Sequence, residues 1–390
     1  MRQAEGREVV IVEAVRTPIG RGHREKGYYK DTHPNTLLGK TYSEVISRSG
    51  IDPAEVEDVV AGCVQQFGEQ GFNIARNAWL QEGLPIETPG TTIDRQCGSA
   101  QQAVNFSAAL IAAGVHDAMI GSGVEHMGHL PFAAGMKTQE DFGYAFTPEL
   151  MAKHNIVGQG IGAEMIADQW EISRSELDEL AVRSHKLAHQ ATEEGRFERE
   201  MVPMTVGDKT FVTDQGIRPD TSLETLSQLK TVFKADGKIT AGNASQISDG
   251  AAAVLLMSAD KAKELGLTAR ARIVDQTTVG CDPVKMLEGP IPATRKILDR
   301  NGMKIDDIDL FEINEAFAPV IAAWRREHNP DMDRVNVNGG AMALGHPLGS
   351  TGARLITTLL HELERSDKEI GFVTMCCGGG LGTGTLIQRV

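Results

Sequence analysis

The sequence predicts an α/β protein built from two similar halves, and two observations support this prediction. Short apolar runs typical of buried strands alternate with segments of helical periodicity along most of the 390 residues. The patterns of the first half also recur in the second half, at an offset of roughly 250 to 260 residues. The predicted units are residues 1–124 (completed by about 243–270), an inserted segment at 125–242, and residues 271–390.

The elements of the first half follow from local patterns of apolar, glycine and proline residues. We predict strands over residues 9–18, 56–64 and 117–121, helices over 36–49 and 73–81, and a further helix after Cys97.

The second half repeats these patterns. Residues 271–274 resemble 9–12, 306–313 resemble 53–60, 349–353 resemble 98–100, and 368–374 resemble 116–121. Two such halves related by a pseudo-twofold axis bring their strand ends together, and ligands of α/β proteins favour such crevices.

The inserted segment has fewer strand signals and more glycine, methionine and charge. Helices are predicted over 148–154 and 156–170, and Ser173 with Glu176 fits a capping box that starts a helix ending near residue 194. We expect this segment to lie over the site and outside the main sheet.

Composition excludes several classes of protein. The net charge of −14 argues against nucleic acid as a main partner. The five cysteines are odd in number, two are adjacent, and none has zinc-finger spacing, so we expect no disulfide framework, no metal and a reducing cytoplasm. The first eight residues do not resemble a signal peptide, and no apolar run is long enough to span a bilayer.

Cys97 is predicted at a strand-to-helix junction. The free N–H groups of a helix N-terminus stabilise a thiolate, so we expect a lowered pKa at this position. Lowering a thiol pKa of about 8.5 by about 1.5 units requires roughly 2 kcal/mol. A buried structural role for this cysteine remains open at this stage.

Three downstream motifs carry further candidates. Asn314 directly follows a predicted strand, where its amide can hold a water or cap a helix. His346 lies among glycines and before Pro347, which indicates a backbone that approaches a ligand closely. Cys376 ends a strand that opens into a glycine-rich turn starting at Gly378.

Taken together, these motifs resemble the thiolases over nearly the whole chain. The matching stretches are residues 15–20, 96–99, 241–245, 249–253, 314–318, 345–347 and 376–380. The resemblance implies a five-layered αβαβα core made from two βαβαβαββ halves. It also implies that the inserted segment forms much of a coenzyme A site.

The resemblance implies a role for each candidate. Cys97 is the expected nucleophile, His346 its base, and Cys376 the acid/base for the α-proton. Asn314 is expected to fix a water beside His346, forming one oxyanion site. The N–H groups of Cys97 and Gly378 are expected to form a second oxyanion site.

The coenzyme A contacts implied by the resemblance are Ser245, Ala316 and Phe317 along the pantetheine, and Arg218 near the nucleotide. A surface arginine can equally be merely solvated. Coenzyme A and acyl-CoA are expected as substrate and product, with no permanently bound cofactor. A homodimer or homotetramer is expected.

Two stretches depart from short-chain members of the family. Those members often have His-Met-Gly-x-Thr-Ala-Glu where residues 158–164 read Gly-Gln-Gly-Ile-Gly-Ala-Glu. This leaves room for a bulkier acyl chain. His126 and His129 stand in a Glu-His-Met-Gly-His run where Glu-Ser-Met-Ser is commoner. These histidines could line the substrate tunnel or simply pack, and packing is the favoured interpretation of both.

The predicted function is that of a thiolase, an acyl-CoA C-acyltransferase. It would condense an acyl-CoA with acetyl-CoA or cleave a 3-ketoacyl-CoA. The alternatives are a decarboxylating ketosynthase-like enzyme, expected to have a second histidine in place of Asn314, and a catalytically silent lipid-binding protein, expected to lack Cys97 or His346.

Overall fold

A computed structural model describes residues 6–132, 134–135 and 139–390. The first half comprises β1 (Val9–Arg16), β2 (Gly20–Arg21), α1 (Pro34–Ser49), β3 (Asp58–Gly62), α2 (Ile74–Gln81), β4 (Gly90–Ile93), α3 (Ser99–Ala112) and β5 (Ala118–His126). The inserted segment comprises α4 (Gln139–Phe142), α5 (Pro148–His154), α6 (Gln159–Gln169), α7 (Arg174–Glu193), β6 (Met204–Val206), β7 (Lys209–Phe211) and α8 (Leu223–Ser227).

The remaining chain completes the first half and forms the second. Its elements are β8 (Ser248–Ser258), α9 (Ala259–Glu264), β9 (Ala271–Gly280), α10 (Pro290–Asn301), β10 (Leu310–Ile313), α11 (Ala318–His328), α12 (Ala341–Leu344), α13 (Thr351–Arg365), β11 (Ile370–Cys377) and β12 (Leu381–Arg389).

The main sheet contains two similar arrangements of strands, of which the second lacks a counterpart of β4 among the described residues. In the first half, β1 and β5 run antiparallel to β8 on either side of it, and β3 and β4 follow in parallel. In the second half, β9 and β11 flank β12 in the same way, and β10 follows in parallel. The two halves join where β1 pairs with β9. The predicted internal repeat is therefore a repeat of topology.

The sheet and helices form five layers. Helices α3 and α13 contact each other and lie between the two halves of the sheet, while α1 and α2 cover one outer face and α10 and α11 the other. Residues 351–363 of α13 are all buried, as expected for a helix enclosed on every side. This confirms the predicted αβαβα core. The exact unit boundaries remain a prediction.

Local details differ from the sequence-based expectations at three places. β4 ends at Ile93, so a turn separates it from Cys97, and β5 continues to His126. Asn314 caps no helix, since α11 begins at Ala318. The Ser173 cap is confirmed, because its side chain accepts a hydrogen bond from the Glu176 N–H.

The inserted segment stays outside the main sheet in the described structure. Its strands β6 and β7 pair with each other. Within the described ranges, no helix combines the length and apolar character needed to cross a bilayer.

Arg16 at the end of β1 anchors the inserted segment to the core. Its guanidinium is fully buried and donates to both carboxylate oxygens of Asp214, at 2.7 and 3.0 Å, and to Glu200. Asp214 also accepts from the Ile19 N–H at 2.7 Å. Phe197 covers the guanidinium, whose central carbon lies 4.9 Å from the ring centroid.

We therefore predict that Arg16→Met lowers the free energy of unfolding by about 3 to 5 kcal/mol, because two buried carboxylates lose their cation. Denaturant unfolding measures this change. Arg295→Met is the matched control, since Arg295 is 58% exposed and its pair with Glu327 should contribute under about 1 kcal/mol. Equal effects of the two substitutions would contradict the anchoring role.

Candidate active site

A tight turn between β4 and α3 presents Cys97. Gln96 adopts a left-handed conformation with φ of 50°, which is unusual for a residue other than glycine. The Ser99 hydroxyl accepts from the Arg95 N–H at 2.8 Å and donates to the Gln96 carbonyl at 2.6 Å. These bonds hold the turn and thereby fix the direction of the Cys97 side chain.

The Cys97 sulfur is almost completely buried and faces two backbone donors. Its own N–H and the N–H of Gly378 both lie close to it and favour its thiolate form. Behind the turn, a Cβ on Gly98 would lie 2.7 Å from the Cys377 Sγ, so only glycine fits there. The Gly98 N–H donates to the Arg95 carbonyl at 3.1 Å, and Cys377 packs behind the turn.

The expected lowering of the Cys97 pKa is wrong. Burial raises the pKa of the thiol to about 11, although the two N–H groups lower it in part. A helix terminus by itself lowers the pKa of a thiol. Packing of both halves, however, removes the water that would solvate a thiolate, and this raises the pKa. Cys97 therefore rests as a neutral thiol and needs a base to become a nucleophile.

A constrained loop holds the backbone of His346. Gly345 has a φ of 110°, and a Cβ there would lie 2.3 Å from the Ser248 Oγ, so the position requires glycine. The His346 N–H donates to the Ser248 Oγ and to the Gln246 carbonyl, both at 3.2 Å. The imidazole is thus placed before any substrate binds.

The contacts of Thr351 show which tautomer His346 adopts. The His346 Nδ1 lies 2.6 Å from the Thr351 Oγ1, and that hydroxyl lies 2.8 Å from the Pro347 carbonyl. Because the carbonyl can only accept, the hydroxyl proton points to Pro347, and the Nδ1–H donates to Thr351. Nε2 is then unprotonated and can accept a proton. Burial, followed by the charge of Arg354, lowers the pKa of His346 to about 3, so the ring is neutral near pH 7.

Asn314 faces the unprotonated nitrogen of His346. Its Nδ2 lies 3.3 Å from the His346 Nε2. Its Oδ1 is buried and has no hydrogen-bond partner in the part of the protein that is described. Such an acceptor is usually satisfied by water or ligand.

Cys376 lies at the carboxyl end of β11, beside Asn314. The Asn314 N–H donates to the Thr374 carbonyl at 3.1 Å, which aligns the ends of β10 and β11. Cys376 is fully buried, burial raises its pKa well above the ordinary value, and it interacts electrostatically with Cys97. Cys376 is thus linked to Cys97 by an electrostatic interaction. The aligned ends of β10 and β11 also bring it next to Asn314, which contacts His346.

Three of the four expected coenzyme A contacts come together. The Ser245 N–H donates to the Ala316 carbonyl at 2.9 Å, and Phe317 is the next residue. The Phe317 ring meets Phe233 of the inserted segment edge to face at 5.9 Å. Arg218 lies apart with an exposed side chain, and its N–H donates to the His185 Nδ1 at 3.1 Å.

The two histidines after Glu125 pack on each other. The rings of His126 and His129 stack at 3.9 Å. His126 is fully buried, and its Nε2 lies 3.0 Å from the Tyr29 carbonyl.

Three further residues of the site, Thr351, Ser248 and Gln159, were not predicted from the sequence. A base needs an orienting partner, so a hydroxyl five residues after His346 was a usable signal for Thr351. Gln159 Nε2 lies 2.9 Å from where a Cβ on Gly378 would be, which places its amide beside the Cys97 site. No local pattern indicated Ser248, because it reaches His346 from a distant strand.

Comparisons with known proteins identify the family of this chain. Residues 9–260 match the family described as thiolase, N-terminal domain, and residues 267–389 match thiolase, C-terminal domain. The chain is 45% identical to the steroid 3-ketoacyl-CoA thiolase FadA6 of Mycobacterium tuberculosis, covering 98% of this chain and 94% of that protein. It is also 45% identical to a 3-ketoacyl-CoA thiolase of Idiomarina loihiensis, covering 98% and 100%.

Solved structures give the same result. The acetyl-CoA acetyltransferase of Bacillus anthracis superposes with a TM-score of 0.91 at 40% identity, covering all of both chains. Human mitochondrial 3-ketoacyl-CoA thiolase in complex with CoA superposes with a TM-score of 0.89 at 36% identity, covering 98% of each.

The chain belongs to the thiolase family. It is an enzyme of the thiolase class, an acyltransferase that works through an active-site cysteine.

The raised thiol pKa gives a direct prediction for chemical modification. With a pKa of about 11, about one Cys97 in a thousand is a thiolate at pH 8. Alkylation by iodoacetamide should therefore be slow and rise about tenfold per pH unit up to pH 11. Peptide mass spectrometry measures this, with Cys281 as reference because burial also raises its pKa to about 11. A fast, pH-independent reaction at Cys97 near pH 7 would contradict the neutral thiol.

Proposed function

We propose that this thiolase transfers an acyl group between coenzyme A and Cys97 while it makes or breaks the carbon–carbon bond of a 3-ketoacyl-CoA. One observation carries the proposal: a buried neutral thiol faces two backbone N–H groups just before α3, and α13, which contacts α3, begins just after a neutral imidazole with an unprotonated Nε2. The names of the relatives, 3-ketoacyl-CoA thiolase among them, support this substrate class.

In the first step of cleavage, the Cys97 sulfur attacks the 3-keto carbon and its proton passes to the His346 Nε2. The alkoxide that forms lies near the N–H groups of Cys97 and Gly378, which already converge on the sulfur. A prepositioned donor of this kind typically contributes about 3 to 4 kcal/mol to the transition state. The geometry therefore supports the second oxyanion site.

In the next step, the bond between C2 and C3 breaks and acetyl-CoA leaves as an enolate. The Cys376 thiol gives its proton to C2, and its high pKa lets it act as an acid near neutral pH. The His346 Nε2, now protonated, and a water held by Asn314 stabilise the enolate oxygen. The unpartnered Oδ1 of Asn314 supports a fixed water there.

The acyl group then leaves Cys97 as acyl-CoA. A second coenzyme A gives its thiol proton to the Cys376 thiolate and attacks the thioester. Cys97 departs and recovers its proton from His346, so both groups return to their resting forms. Condensation follows the same steps in reverse.

Ser245, Ala316 and Phe317 are proposed to line the pantetheine arm, since they lie side by side next to Asn314 and Glu315. The solved human relative contains CoA, which supports coenzyme A as substrate and product here. Arg218 is exposed, and we propose that it meets the nucleotide phosphates as a local positive charge on a chain of net charge −14.

We propose an acyl chain bulkier than the acetoacetyl group, because residues 158–164 lack the His-Met pair of short-chain members.

A reducing cytoplasm is proposed as the location of the protein, because its five cysteines are free thiols. A homodimer or homotetramer is proposed because the outer edge of β4 pairs with no strand of the described residues and is open to a second copy.

The presence of Asn314, Cys97 and His346 disfavours the two alternative functions, a ketosynthase-like enzyme and a catalytically silent protein.

Substitutions of Cys97 and of Cys376 should affect different steps, formation of the acyl-enzyme and cleavage of the carbon–carbon bond. Cys97→Ala should abolish the acyl-enzyme seen by mass spectrometry. Cys376→Ala should still form it from acyl-CoA but lose carbon–carbon cleavage by at least about 100-fold. Chromatography of 3-ketoacyl-CoA thiolysis over a range of chain lengths measures turnover. Full turnover by Cys376→Ala would remove that thiol from the mechanism, and Cys377→Ala is the matched control.

Thr351→Val should slow acylation of Cys97 about 10- to 100-fold, because the Nδ1–H loses its acceptor and the imidazole can change tautomer. Thr351→Ser keeps the hydroxyl and should retain most activity. Rapid-quench measurement of acyl-enzyme formation compares the two. Equal rates for the two variants would show that the hydroxyl does not orient His346.

A further inference from the structure

The turn before α2 holds the ring of Phe72 in solvent. The residue is 98% exposed, and its φ of 58° lies in the left-handed region, which is costly for a bulky side chain. Asn73 follows in the same conformation, with φ of 62°. Packing within one chain explains neither the strain nor the exposure of so large a ring, and aromatic anchors are common where two proteins meet.

Hydrogen bonds fix this turn beside β4. The Asn73 Nδ2 donates to the Gly90 carbonyl at 2.8 Å, and the Asn73 Oδ1 accepts from the Thr92 hydroxyl at 2.9 Å. The Asn77 Nδ2 donates to the Phe72 carbonyl at 2.9 Å. The ring of Phe72 therefore has a defined place at the amino end of β4.

The outer edge of β4 leaves the backbone of Thr92 for a second strand. The carbonyls of Pro89 and Ile93 accept hydrogen bonds from the β3 side. Because backbone groups alternate in direction along a strand, those of Gly90 and Thr92 point away from β3. The Gly90 carbonyl already accepts from Asn73. Pairing centred on Thr92 therefore fits this edge best.

A twofold axis at Thr92 determines what meets across the edge. Two identical copies related by such an axis pair their β4 strands antiparallel, so Asp94 lies opposite Gly90 of the partner subunit. Each of these residues is two positions from Thr92, or about 7 Å along the strand. The turn that carries Cys97 then adjoins the amino end of the partner's β4, where Phe72 of the partner subunit stands.

The charges at this contact are complementary. A Cβ on Gly90 would lie 2.9 Å from the Arg76 nitrogen, so Arg76 borders the place that the carboxylate of the partner's Asp94 reaches. The Arg76 guanidinium bonds the carbonyls of Ile86 and Thr88, which leaves its positive charge for an anion. The twofold axis forms this pair twice.

Arg95 adds a second complementary contact. It lies in the turn that carries Cys97, and its buried Nε has no hydrogen-bond partner in the portion of the chain that the structure describes. A guanidinium is attracted to the face of an aromatic ring. The exposed ring of the partner's Phe72 offers that face.

We propose that Phe72 of the partner subunit packs over Arg95 and Gln96 and is a positioning residue for the turn that presents Cys97. The inference rests on the proposed homodimer and on the proposed role of Cys97 as nucleophile. Gln96 holds a strained φ of 50°, and its Oε1 lies 3.2 Å from where a Cβ on Gly378 would be. Movement of this turn therefore shifts the Cys97 sulfur relative to the Gly378 N–H. Phe72 touches no reacting atom and acts through the turn.

Two heterodimers that each retain a single Cys97 test this arrangement. They are purified through different affinity tags on the two chains. The first joins a Cys97→Ala chain to a Phe72→Ala chain, so the remaining Cys97 faces an intact Phe72 across the axis. The second joins a chain with both substitutions to a wild-type chain, so the remaining Cys97 faces the substituted position.

The first heterodimer should acylate as fast as the reference, a Cys97→Ala chain joined to a wild-type chain. The second should acylate about 10- to 100-fold more slowly, because small displacements of a reacting group have effects of this size. Rapid-quench mass spectrometry measures both rates. Equal rates in the two heterodimers, or a slower rate in the first, would overturn the proposal.

Alkylation of the remaining Cys97 by iodoacetamide gives a readout that needs no thiolase activity. It should be at least about threefold faster in the second heterodimer, because a loosened turn exposes the sulfur. If the wild type cleaved no 3-ketoacyl-CoA while this difference persisted, the proposed function would fail and the contact would stand. If the wild type cleaved its substrate and the difference were absent, the contact would fail alone.

Phe142→Ala is the matched control, since Phe142 is 86% exposed and lies in the inserted segment. Used in place of Phe72→Ala, it should leave the two heterodimers equal. Phe72→Leu replaces Phe72→Ala if that variant does not assemble. Benzoylphenylalanine at position 72 should photo-cross-link two chains through the peptide that contains residues 94–96. Cross-links confined to one chain, or sedimentation of the wild type as a monomer, would overturn the proposal.

Discussion

Exclusion of water from the reactive groups is the constraint on which the rest of the site depends. Cys97, Cys376 and His346 are all buried, and burial raises the pKa of both thiols and lowers that of the imidazole. The resting site is therefore uncharged. Charge arises only while a substrate reacts, in surroundings of low polarity where a few aligned donors act strongly. Because those donors are mostly backbone N–H groups and an amide, they carry no charge of their own that needs solvation.

The five-layered core explains how so dry a site can exist in a protein with this composition. The turn that carries Cys97 precedes α3, and the loop that carries His346 precedes α13, so both groups lie where the two enclosed helices begin. Polar side chains buried there need partners, and the core provides them. Thr351, Ser248 and Asn314 serve His346, while Arg16 joins the inserted segment to the end of β1.

Much of this arrangement could be predicted from the sequence, and the exceptions have a common physical origin. Strands were found from apolar runs, and the Gly-rich settings of His346 and Cys376 indicated close backbone approach. The predicted shift of the Cys97 pKa had the wrong direction, because a helix terminus is a local feature whereas burial depends on the packing of both halves. Ser248 and His346 are joined across 98 positions, and nothing in the sequence near either residue specifies the other.

The repeated topology has a consequence for how unlike groups came to share one site. The residues before α3 and those before α13 occupy equivalent places in the two halves. An assembly of two identical chains across a twofold axis can offer only duplicate side chains at such places, a thiol facing a thiol or an imidazole facing an imidazole. Covalent fusion of the halves removes that symmetry restriction. One junction then carries the proposed nucleophile and the other the proposed base, so that a single asymmetric centre replaces two matching ones.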